Sequence, residues 1–183
     1  MKRRLLLIPT TALVALIAAG LGFMVLFGTA YDAQSPYAGQ QSRMVSALSS
    51  QTVEGLKAGA GLGYAKAELN GWPGPLHILE LAEELSLSQE QSRQIEEIRQ
   101  AMLERAKPLG VKLIEAEGAL DSVFEQPSPA AIDIERATLE AAKIEAELRA
   151  VHLTAHLQST PLLSPEQKAI YQRERGYHGH HGH

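Results

Sequence analysis

His152 and His156 stand four residues apart in a stretch of Ala, Leu and Glu. On a helix that spacing sends both imidazoles out on one face, where they can share a metal ion. The zinc-protease pattern needs Glu directly after the first His. Leu153 occupies that place, so the hydrolase reading fails. The competing reading is a pair of lightly packed or solvated histidines beside the helix seam, with partial exposure. A second concentration of imidazole closes the chain: His178, His180, His181 and His183, separated by Gly179 and Gly182. With an ordinary pKa of about 6.5 these rings are mostly neutral at pH 7. Such a tract suits zinc, nickel or copper, without selectivity, on a glycine-rich backbone. Its plain alternative is a solvated tail with incidental affinity. His77 stands alone, either as a hydrogen-bonded structural residue or as a ligand near the end of a helical hairpin.

No cysteine is present. Any metal must therefore be held by imidazole and carboxylate, and no thiolate nucleophile exists. The acidic pairs Glu83-Glu84 and Glu96-Glu97 are helical neighbours pointing about 100° apart, so neither forms an acid–base dyad. No Ser, Thr or Lys sits in a nucleophile context. Gly59-Ala60-Gly61-Leu62-Gly63 lacks both a preceding strand and a following Gly-Lys-Ser/Thr, so it is a break between helices rather than a phosphate loop. These residues predict a protein that is not an enzyme and requires no cofactor, with a divalent zinc, nickel or copper ion as the one ligand they suit.

The elements that must position these residues are helices. Ser88 to about Phe124 carries Ile95, Ile98, Met102, Ala106, Leu109, Leu113, Ala116, Leu120 and Val123 at intervals of three and four. That spacing predicts one long amphipathic helix. Pro108 falls inside it and predicts a bend near residues 104–108, while the stripe continuing beyond favours a kink over a stop. After Gln126-Pro127-Ser128-Pro129, the residues Ile134, Ala137, Ala141, Ile144, Leu148, Val151 and Ala155 follow a heptad seam. Two long amphipathic helices joined by a short Pro-rich turn pack as an antiparallel hairpin. Shorter helices flank them, one expected from near Ser42 and one from Pro75, which follows the turn-forming run Asn70-Gly71-Trp72-Pro73-Gly74. No segment alternates as a strand should. The fold class is all-α: a long kinked antiparallel helical hairpin with shorter flanking helices. The periodicity does not say which of Ile95, Met102, Leu109, Leu148 or Val151 faces a client or partner and which the core, so that face is unknown.

The N-terminus differs from the rest. Lys2, Arg3 and Arg4 precede an uncharged stretch from Leu5 to Phe27. As a helix it would span roughly 34 Å at 1.5 Å per residue, enough for a hydrocarbon core of about 30 Å. A cleavable signal has an apolar region of about 7–15 residues, which favours a retained anchor, yet Gly28-Thr29-Ala30 supplies the small residues of a cleavage site. The organisation expected is a signal peptide or membrane anchor over 1–30, a linker over 31–41, a helical domain over 42–177 and a His-rich tail over 178–183. The basic cluster keeps the start of the chain in the cytoplasm and exports the rest. Of 17 basic residues the leader holds three, and it holds none of the 21 acidic ones. The exported part therefore has 14 basic against 21 acidic side chains, a formal charge of −7, which disfavours nucleic acid as a partner.

One signature occurs twice. Leu87-Ser88-Gln89-Glu90-Gln91 opens the long helix and Leu163-Ser164-Pro165-Glu166-Gln167 a last short one. The serine hydroxyl accepts from the N–H three residues on, and the glutamine side chain reaches back to the serine N–H, which makes Ser88, Gln91, Ser164 and Gln167 helix-capping residues. Read with the leader, the pattern resembles the LTXXQ motif of the Spy/CpxP family of periplasmic proteins, with Ser for Thr in both copies. The stretches Glu68-Leu69-Asn70-Gly71-Trp72-Pro73-Gly74-Pro75 and Tyr171-Gln172-Arg173-Glu174-Arg175-Gly176-Tyr177 are similar to that family's metal-sensor, heavy-metal-resistance branch. The resemblance implies a cradle-like helical fold, a homodimer, and a role in envelope stress. Its partners would be unfolded periplasmic proteins or the periplasmic domain of a two-component sensor, with the inner membrane added if the leader is retained. The alternative it implies is a sensor or buffer of zinc, nickel or copper using histidine ligands.

Overall fold

The computed structural model describes residues 35–64 and 66–177. The chain divides into two compact units, Met1–Gly39 and Gln40–His183, and everything below concerns the second. The leader expected over 1–30 and the tail histidines His178, His180, His181 and His183 lie outside the described residues.

The described residues are helical and contain no strand, so the all-α expectation is met. Helix α1 spans Ser50–Ala58, α2 Pro75–Glu80, α3 Gln89–Phe124, α4 Ala131–Ser159 and α5 Pro165–Glu174, with 3-10 turns at Lys66–Asn70 and Thr160–Leu162. No helix among them is long and apolar enough to cross a membrane.

The helix expected near Ser42 begins eight residues later. The Ser46 N–H donates to Asp121 Oδ2 at 2.7 Å and the Leu48 N–H to the Val45 carbonyl, which uses those amides in a turn. Ser49 then supplies the cap, its hydroxyl accepting from the Thr52 N–H. Gly59 ends α1 in the left-handed conformation at φ 73°.

Helix α3 continues through Pro108 without a break. The proline lies on the solvent side, where water can satisfy the Glu104 carbonyl that has lost its helical donor. Helices α3 and α4 pair along their length around Ala106, Leu113, Ala116, Ala141, Ile144, Leu148 and Val151. Helix α1 crosses α3 at Gly110 and adds Leu56 to the same core. The contact is close: a Cβ on Gly110 would stand 2.1 Å from the Leu56 carbonyl oxygen. Leu109, the expected stripe residue, is only half-buried beside it. A second core of Ile78, Leu85, Ile95, Leu163 and Tyr171 joins α2, the start of α3 and α5.

Candidate functional site

The loop between α1 and α2 positions the chemistry by folding over the C-terminal end of α4. The Ser159 hydroxyl donates to the Pro73 carbonyl at 3.0 Å, and a ring nitrogen of His156, Nδ1, lies 2.8 Å from the Trp72 carbonyl. A carbonyl can only accept, so Nδ1 carries the proton and Nε2 of a neutral His156 carries the lone pair. Gly74 permits this approach, since a Cβ there would stand 2.6 Å from the His156 ring.

His152 and His156 are therefore both buried, at 4% and 8% exposure, where the sequence predicted partial exposure. The helical wheel set them beside the seam correctly. It could not register a cover supplied from the 59–74 loop. Tyr64, tilted at 6.5 Å from the His152 ring, is part of that cover, and Arg149 lies over the Tyr64 face. Burial and the neighbouring His156 push the His152 pKa below its ordinary 6.5, so the ring is neutral at pH 7. Its Nε2 is fully buried with no hydrogen-bond partner among the described residues.

The two histidines line one half-open cavity of about 590 Å³, together with Gly61, Leu69, Leu76 and Met102. They do not by themselves complete a metal centre. No cluster of three or more His, Asp or Glu side chains among the described residues is arranged to hold a metal ion. Glu145, close in sequence, pairs instead with Arg149 at 3.3 Å.

Across the cavity sits a carboxylate that sequence reasoning did not single out. Glu68 is 6% exposed. His77 Nδ1 lies 2.6 Å from its Oε1, the Tyr177 hydroxyl donates to Oε2 at 2.9 Å, and Arg175 Nε stands 3.5 Å from Oε2. Burial works to raise the Glu68 carboxyl, but the bonds from His77 and Tyr177 outweigh it and hold the group below its ordinary 4.5. His77 is thus a hydrogen-bonded partner of Glu68. The knot joins the stretches 68–75 and 171–177, far apart in sequence. A buried acid demands partners, but nothing in the local pattern marks Glu68 as buried.

The repeated motifs meet as well. Ser88 and Ser164 each accept from the N–H three residues on, and Gln91 and Gln167 each reach back to the serine N–H. Leu163 is buried and Leu87 packs on the same core. Beyond their own helix ends the two glutamine amides bond to each other, at 2.9 and 3.2 Å.

No curated protein and no solved structure matches this chain. A family model described as "LTXXQ motif family protein" matches residues 75–175, a span that holds both capping motifs and the histidine pair. More than half of the chain lies within that match, and the chain belongs to the LTXXQ motif family, a family of non-enzymatic periplasmic proteins.

Proposed function

We propose that this chain is a periplasmic envelope-stress protein of the Spy/CpxP type, which holds unfolded clients on the outer face of α4. One observation carries the reading: α4 has two apolar stripes on opposite sides. The inner one, through Ala141, Ile144, Leu148, Val151 and Ala155, is buried against α3. The outer one, through Ile132, Leu139, Ala146, Leu153 and Leu157, is exposed, with Leu139 at 62% and Leu157 at 58%. Leu139, Ala146 and Leu153 recur every seven residues. A surface helix normally turns charge toward solvent, and an exposed apolar band of this kind marks an interaction site. Its small and branched side chains suit the apolar segments of an unfolded chain, with the periplasmic domain of a sensor as the folded alternative and a homodimer as the working form. Residues 5–27 would anchor the protein to the inner membrane, or their cleavage would release it.

The test is light scattering of a denatured client diluted into buffer with the full chain and a chelator. Suppression of aggregation is expected, and its loss in Leu139→Glu with Leu153→Glu while the melting temperature holds. Equal protection by parent and variant would remove the stripe from the function.

A second reading is favoured by the His156 tautomer. A ring that donates Nδ1–H to a carbonyl and keeps its lone pair on Nε2 is set up as metal ligands usually are, and His152 lies one turn before it without a hydrogen-bond partner among the described residues. In this reading the pair, with His178, His180, His181 and His183, takes up zinc, nickel or copper. Calorimetric titration of the chelator-treated chain with each ion tests it. Binding that survives His152→Ala with His156→Ala unchanged would assign any affinity to the tail alone.

A further inference from the structure

The cavity under the 59–74 loop offers more than a pair of imidazoles. Its walls are mostly apolar, including Leu62, Leu69, Leu76, Met102 and Leu103. Of the polar groups that line it, His152 Nε2 is buried with no hydrogen-bond partner among the described residues, while Arg175 Nε pairs with Glu68 Oε2 at 3.5 Å. A guanidinium Nε is always a donor, and a neutral imidazole offers one N–H. A neutral His152 thus has one N–H with which to meet an oxygen of a ligand.

The charge of the lining points the same way. Lys66, Arg99 and Arg175 contribute to it, against the single carboxylate of Glu68. That carboxylate is already engaged by His77, Tyr177 and Arg175. Lys66 is exposed and enters no ion pair among the described residues. Among the described residues Arg99 reaches only Glu96, at 3.4 Å. An apolar chamber whose basic side chains outnumber its acids, with Lys66 left without an ion pair among the described residues, fits a ligand with one anionic head and a hydrocarbon body. Its volume of about 590 Å³ falls within the usual range for small-molecule pockets.

We infer that this cavity binds a small amphiphilic carboxylate, its hydrocarbon body against Leu69, Leu76, Met102 and Leu103 and its carboxylate toward His152 and Lys66. An incoming carboxylate would give Lys66 the counter-charge that it lacks among the described residues. Gly61 offers the handle for a test. A Cβ built on it points at His152, whose Nδ1 would be its nearest neighbour at 3.9 Å, so a larger side chain there would occupy the cavity without striking the backbone.

The experiment follows the fluorescence of Trp72, the sole tryptophan, in the full chain with chelator present, so that metal plays no part. Decanoate is titrated below its micellar range, with decanol and decyltrimethylammonium as same-tail probes. Saturable binding of one decanoate per chain is expected, weaker by about tenfold or more in Gly61→Leu. Lys66→Glu should weaken decanoate binding and leave decanol unaffected. Adsorption to the apolar leader would ignore both substitutions and so overturn the inference. Equal binding of the alcohol and the cation would overturn it too, as would a site that takes peptides ending in Leu but not decanoate. The stripe on α4 is untouched by these variants, so client protection and carboxylate binding fail independently.

Discussion

Gln91 and Gln167, the last residues of the two repeated motifs, exchange amide hydrogen bonds across the junction of α3 and α5. Each also caps its own helix through the serine N–H, and each donates to a carbonyl of the opposite segment: Gln91 to Leu162 at 2.7 Å, Gln167 to Leu85 at 3.1 Å. A capping box needs only the first of these bonds. The others explain why both motifs end in Gln, since a carboxylate could accept from the serine N–H but could not donate. Gln91→Ala or Gln167→Ala strands several partly buried backbone groups and should cost about 2 kcal/mol each. Urea denaturation of the single and double variants should show the double losing about 1 kcal/mol less than the sum, because the shared bonds are lost only once.

Gly110 separates a steric need for glycine from a conformational one. A methyl there would meet the Leu56 carbonyl oxygen at 2.1 Å, and because that oxygen is backbone it cannot turn aside, so α1 must lift from α3. Gly110→Ala should cost about 3 kcal/mol or more. Gly71 has open space around it but sits at φ 78°. Gly71→Ala should cost only about 1 kcal/mol, the left-handed penalty. Thermal melts of the two variants should rank them in that order.

The residues that gave the fold away were those whose signal is local. Ser88 and Ser164 cap where the motif places them, Pro75 opens α2, and the seam from Ala141 to Ala155 is the buried one. What stayed hidden came from partners distant in sequence. The 3.6 period placed Leu109 on the stripe, but the crossing of α1 selected Gly110. Burial of His152 and His156 depends on a loop some eighty residues earlier, and Glu68 owes its partners to Tyr177 and Arg175. The second stripe of α4 was legible as heptad spacing through Leu139, Ala146 and Leu153, yet the stronger inner seam masked it.

Burial of His152 couples stability to pH. Its pKa is lowered in the fold from an ordinary 6.5, so the unfolded chain takes up the proton first as pH falls. The stabilisation is whole above pH 6.5 and is lost as pH drops through the folded value. His152→Gln cannot take up that proton. Denaturation midpoints measured from pH 7.5 to 5 should fall in the parent and stay flatter in the variant.

Glu68 sets a second, more acid step. Its carboxyl is held below 4.5, so its bonds contribute fully above that pH and fade as pH falls through the folded value. The Tyr177 hydroxyl supplies one of those bonds at 2.9 Å. Tyr177→Phe keeps the ring over which Arg175 lies but removes the donor. It should cost about 1–2 kcal/mol at pH 7, and the deficit should shrink as pH falls through the folded value and the parent's Glu68 also protonates. Carboxyl carbon shifts followed by NMR should show the Glu68 titration moving upward in Tyr177→Phe. An unmoved titration would mean that the remaining partners, His77 at 2.6 Å and Arg175 at 3.5 Å among them, hold the carboxylate ionised.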